Sequence, residues 1–139
     1  MNASSSTATT RTPQMDNISL TEHEQSMQLY RKLIDCLDKD LLSKLHDRLI
    51  VADAVANTKF DAGQPIDDPV REAEVIENAV RNFPKSEDYP TPARRILTDT
   101  EIRRFIKTVI AIAKKVEKRV MKHREFERKY KTNSIDKTR

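Results

Sequence analysis

A chain of 139 residues with 35% charged, 37% hydrophobic and 5% aromatic residues is long enough for one modest core and too short for two. A single Gly leaves no room for a phosphate-cradling glycine loop, and a single Cys, Cys36, excludes an intrachain disulfide and a CxxC metal pattern. The net charge of +4 is unevenly spread: residues 101 to 139 hold 14 Lys or Arg against 5 Asp or Glu, and the acids outnumber the bases in the rest.

Residues 1–18 are rich in Ser and Thr and have little to bury, which predicts a disordered tail. With only Arg11 as a cation, this stretch does not make the arginine-rich amphipathic helix of a mitochondrial presequence. Thr21 and Glu24 then stand at the S/T-x-x-E spacing of a capping box. Apolar residues follow at steps of three and four from Met27 through Leu33, Leu37, Leu41, Leu45, Leu49 and Ala52 to Ala56, predicting helix over 22–57. Asp38 or Asp40 offers a fresh cap before Leu41, so this segment is either one helix or two. Cys36, at the margin of the stripe with Asp35 and Asp38 beside it, reads as a small buried hydrophobe and not a nucleophile.

Asn57 to Asp68, with Gly63 and Pro65, reads as a connector. Asp68 is a cap, Pro69 suits a first helical turn, and Ala73, Ile76, Ala79, Val80 and Phe83 make the inner stripe of a short helix that carries Glu72, Glu74 and Glu77 outward. Pro84, Pro90 and Pro92 make residues 83–97 an extended strap.

A second capping box, Thr98 and Glu101, opens the longest helical stretch, 98–131, which contains neither Gly nor Pro. At about 100° per residue, Ile102, Phe105, Val109, Ile112, Val116 and Val120 share one face with Ile106, Ala113 and His123, and form the expected helix-packing interface. Arg103, Arg104, Lys107, Lys114, Lys115, Lys118, Lys122 and Lys129 form a cationic ridge on the opposite face, suited to phosphates or an acidic partner. Glu117 falls toward the edge of this ridge. Ile102, Val109, Val116, His123 and Tyr130 recur every seven residues, as in a short coiled coil. Residues 132–139 are expected to fray.

The fold class read from this pattern is all-α: a small bundle of three or four helices in one domain, 19–131, ending in a long amphipathic C-terminal helix. The three histidines lie on separate segments without a second ligand, so neither a metal nor another cofactor is expected. Without nucleophile, metal site or phosphate loop, the residues read as non-enzymatic, with no small-molecule substrate and no membrane span. The first functional expectation is a cytoplasmic adaptor or regulatory protein working by helix-mediated protein–protein interaction or self-association, its partner another protein or a second copy. The alternative is a DNA- or RNA-binding protein whose basic ridge meets phosphates without strong sequence specificity.

Overall fold

The computed structural model describes residues 20–84 and 97–135; the predicted N-terminal tail and most of the proline strap lie outside them. Among the described residues the chain is all-helical, with three helices and no strand: α1 (Glu22–Asp61), α2 (Pro69–Asn82) and α3 (Asp99–Ile135).

Each start is fixed by its own cap. At α1 the Thr21 amide donates to Glu24 Oε2 at 2.7 Å while the Glu24 amide donates to Thr21 Oγ1 at 3.3 Å. Thr98 and Glu101 repeat the reciprocal arrangement at α3, at 2.7 and 3.2 Å. Asp68 caps α2 by accepting from the Arg71 amide at 3.0 Å, with Pro69 in the first turn.

Between the two candidate starts α1 is uninterrupted, so residues 22–57 belong to one helix that runs on to Asp61. Asn57 and Thr58 do not end it because their side chains bond back one turn, to the carbonyls of Asp53 and Ala54. The stop comes at Gly63, whose φ of 66° permits the Gly63 amide to reach Phe60 O at 3.1 Å and the Gln64 amide to reach Lys59 O at 2.8 Å. This left-handed glycine closure satisfies carbonyls that the last turn would otherwise leave open. The connector is therefore shorter than predicted, 62–68. At the other end of the chain α3 continues past Lys131 to Ile135, and Thr132 Oγ1 donates to Arg128 O at 2.9 Å.

The chain divides into two compact units, residues 1–38 and 39–139. In the first, the described part of α1 exposes Met27, Leu29, Tyr30, Leu33, Ile34 and Leu37, and Cys36 is exposed rather than buried. In the second, the buried residues are small or β-branched: Ala52 and Ala56 on α1, and Ile102, Val109 and Ala113 on α3, joined by Glu117. A packing of the two long helices through leucine and isoleucine stripes is thus not what is found. Leu41 and Leu42 are exposed, Leu45 and Leu49 half-buried, and the alanines occupy the inner positions of α1. On α2, Ile76, Ala79, Val80 and Phe83 are half-buried as the pattern implies, whereas Ala73 is exposed.

Within the second unit, Arg124 of α3 lies over the Phe60 ring, 4.9 Å from its centroid, and also pairs with Asp61; Arg128 stands 5.7 Å from the same ring. Arg103 of α3 pairs with Glu77 of α2.

Candidate active site

All three helices of the second unit contribute to one cleft of about 420 Å³. Its apolar lining includes Val51, Ala52, Val55, Ile66, Val75, Ile110 and Ala113. Set into this wall are four cations, Arg48 and Lys59 from α1, Arg71 from α2 and Lys114 from α3, with the carboxylates Asp68, Glu72 and Glu117. An apolar concavity with a few convergent polar groups is the usual form of a small-molecule site.

Lys59 and Glu117 make the most enclosed polar pair, 3.3 Å apart with side chains 18% and 12% exposed. Lys59 Nζ also donates to the Ile66 carbonyl at 2.7 Å, which ties the connector to α1 and leaves its third proton without a partner among the described residues. Lys114 bridges Glu72 at 2.5 Å and Asp67 at 2.9 Å, joining α3 to the start of α2. Among the described residues the Arg71 side chain pairs with Glu74 one turn on, at 3.0 Å, where both side chains are more than half exposed and the pair adds little. Arg48 has no ionic or hydrogen-bonded partner among the described residues. The cleft therefore holds one unpaired guanidinium, one weakly paired guanidinium and an enclosed ammonium, an arrangement that favours an anionic guest.

The predicted ridge is divided by the fold. Lys114 is turned into the cleft, Arg103 is taken by Glu77, and Arg104, Lys107, Lys115, Lys118, Lys122 and Lys129 are exposed outside it. Of the predicted packing positions, Ile102 and Val109 are buried, Ile112, Val116 and Val120 are half-buried, and Phe105 is exposed. His123, placed on the apolar face by its angle, is exposed and stands 3.4 Å from Glu127. Two carboxylates sit differently from their predicted places: Glu72 faces inward to Lys114, and Glu117 is buried. Arg48, Lys59 and Arg71 were not among the sequence-predicted site residues. No short-range motif links them, because they sit 11 or more residues apart on two helices and meet only in the fold.

No group of His, Cys, Asp or Glu among the described residues is arranged to hold a metal ion. No helix among them is long and apolar enough to cross a membrane.

The family model of chorismate mutase type II matches residues 30–118, more than half of the chain and every residue lining the cleft. No curated protein and no solved structure matches the chain. The match to an enzyme family corrects the non-enzymatic expectation. It overturns the adaptor acting by protein–protein interaction or self-association, the nucleic-acid alternative and the exclusion of a small-molecule substrate. The physical reason is that the absence of nucleophiles, metals and glycine loops excludes only the chemistries that need them. Cations gathered from separate helices leave no such trace.

Proposed function

The chain belongs to the chorismate mutase type II family, and from that premise we propose that it converts chorismate to prephenate in the cleft between Arg48, Lys59, Arg71 and Glu117. The reaction is an intramolecular rearrangement: the ether C–O bond of the enolpyruvyl group breaks as a C–C bond forms to the ring, and no proton or electron is exchanged with the protein. It needs no nucleophile and no cofactor. What a protein can contribute is to hold the substrate in the folded conformation that brings its reacting carbons together, and to stabilise negative charge gathering on the ether oxygen.

Chorismate carries two carboxylates, and the cleft offers guanidiniums to meet them. Arg48, without a counter-ion among the described residues, is the first receptor, and Arg71 exchanges its exposed contact with Glu74 for the second. Lys59 suits the ether oxygen, because it is more enclosed than Lys114 or Arg71 and a fixed charge acts most strongly where water is excluded. The apolar wall of Val51, Val55, Val75 and Ile110 suits the ring.

The observation that carries this reading is the convergence of Arg48, Lys59 and Arg71 on one apolar cleft inside the matched span. The matched span also lies inside residues 19–131, which supports treating that stretch as one functional domain. A cytoplasmic location belongs to the same proposal, and the exposed free thiol of Cys36 is compatible with a reducing compartment. The test is to incubate the purified chain with chorismate and follow its loss together with the appearance of prephenate. Turnover abolished by Arg48→Ala supports the assignment; a folded wild-type chain that leaves chorismate unchanged above the uncatalysed rate refutes it.

A further inference from the structure

Lys59 stands in the last turn of α1, where intrahelical partners run out and local opening of a helix costs least. The Gly63 closure bonds Lys59 O and Phe60 O within its own corner, so it fixes the shape of that corner and not its place against the rest of the unit. The next two residues set the place, and Arg124 of α3 engages both. Its guanidinium carbon lies 4.9 Å from the Phe60 ring centroid while its Nη2 donates to Asp61 Oδ1. Arg128 stands against the same ring at 5.7 Å. At about 100° per residue, Arg124 and Arg128 fall within about 20° of the line of Glu117 on α3, about two and three turns farther on. Three successive residues of α1 thus meet one line of α3: Lys59 at Glu117, Phe60 at both guanidiniums and Asp61 at Arg124.

We propose that Arg124 is a positioning residue for Lys59: by holding Phe60 and Asp61 together it clamps the end of α1 to α3 and keeps the Lys59 ammonium at its working place in the cleft. The inference rests on the functional reading above, in which Lys59 meets the ether oxygen. Arg124 lies outside the cleft lining and beyond the span matched by the family model. Its pair with Asp61, whose side chain is 66% exposed, adds little to global stability. What it supplies is direction, because one planar guanidinium has to satisfy a ring face and a carboxylate at once. With the clamp gone, the last turn of α1 is freer to open and the ammonium is less well placed. Arg48, about three turns earlier on α1, and Arg71 on α2 stay where they are, so substrate still binds and the rate of the bound complex falls.

The experiment records helicity, melting midpoint, kcat and KM for chorismate in the intact chain, in Arg124→Met, Phe60→Leu, Phe60→Tyr and Lys59→Ala, and in the double variant Arg124→Met with Lys59→Ala. Arg124→Met is expected to lower kcat about tenfold with KM held within about threefold. Phe60→Leu, which removes the ring but keeps Asp61, is expected to lower kcat about threefold, and Phe60→Tyr, which keeps the ring face, to stay within about 1.5-fold of wild type. On the Lys59→Ala background Arg124→Met should change kcat by less than about twofold, because no ammonium is left to place; a general loosening of the fold would lower kcat on both backgrounds alike. An unchanged kcat in folded Arg124→Met, or a loss that persists undiminished on the Lys59→Ala background, overturns the role of Arg124 alone. Should Arg124→Met fail to fold, the Phe60 pair decides: a loss in Phe60→Leu restored in Phe60→Tyr supports the clamp, and equal kcat in the two overturns it. A folded wild-type chain without turnover overturns the functional reading and this inference together.

Discussion

Lys59 and Glu117, 58 positions apart in the chain, face each other across the cleft at 3.3 Å with both side chains largely withdrawn from water. The pair answers why a carboxylate should be buried on a helix otherwise lined by Val109 and Ala113: it is the counter-ion of Lys59. Lys59→Ala is expected to lower kcat for chorismate by about 10²–10³-fold and, by stranding Glu117, to destabilise the fold by about 2–3 kcal/mol. Steady-state kinetics and denaturant melts check the two effects separately. Glu117→Gln keeps an acceptor for Lys59 but removes a negative charge from the wall of the proposed dianion site, so at neutral pH its KM is expected to fall by a few-fold. A rise in KM would show that the carboxylate itself holds substrate.

Asp68 both lines the cleft and caps the helix that carries Arg71. Asp68→Ala removes the acceptor for the Arg71 amide and is expected to cost about 1 kcal/mol, with KM raised because Arg71 and Glu72 lie in the turn that loosens. Asp68→Ser, which still caps, should retain stability and avoid the rise in KM, since it keeps the turn and removes only a negative charge from the cleft wall. Urea melts beside kinetics distinguish the two.

The capping boxes make stability depend on acid. At Glu101 the Thr98 backbone N–H, and next its hydroxyl, hold the carboxyl below its usual range; Glu24 is held down in the same way by Thr21. A depressed folded-state pKa means that the unfolded chain takes up protons first as pH falls. The stabilisation is complete above the unfolded value and is lost as pH drops through the folded one. The melting midpoint is therefore expected to decline below about pH 5, and the decline should be shallower in Glu101→Gln and Glu24→Gln. An identical acid limb in these variants would refute the assignment.

Two alanines separate packing from binding. Ala56 is fully buried and does not line the cleft, so Ala56→Leu is expected to destabilise by about 1–3 kcal/mol through overpacking. Ala113 lines the cleft, and Ala113→Leu places its added bulk where the substrate ring is proposed to lie. Its KM should rise by more than its melting midpoint falls. Equal effects of the two substitutions on KM would argue against the cleft as the site.

What is legible in the sequence is whatever is encoded locally. The boxes at Thr21 and Thr98, the Asp68 cap, and the absence of Gly and Pro across both long helices specify three helices with starts where they are found. The faces are less legible. A stripe centred on Val109 puts Glu117 about 80° away, whereas the buried set of Ile102, Val109, Ala113 and Glu117 centres about 40° round toward it. Hydrophobicity alone weights Phe105 and Ile112 into the interface and Glu117 out of it. The structure does the reverse with Phe105 and Glu117, because Lys59 supplies the charge that lets a carboxylate go inside. The cleft was illegible for a related reason. Arg48, Lys59 and Arg71 are each unremarkable on their own helix, and their meaning is their meeting.

The turn after α1 sets one last condition. Apart from its chain neighbours, no described residue comes within 4 Å of where a side chain at Gly63 would begin, so the residue serves the backbone angle and not a tight fit. The tether from Lys59 to Ile66, rather than steric crowding, then measures the interval from the end of α1 to Arg71. A side chain at that corner would be opposed by the backbone angle and not by a neighbour; an inserted residue between Gly63 and Ile66 cannot be absorbed without shifting one guanidinium out of step with the rest.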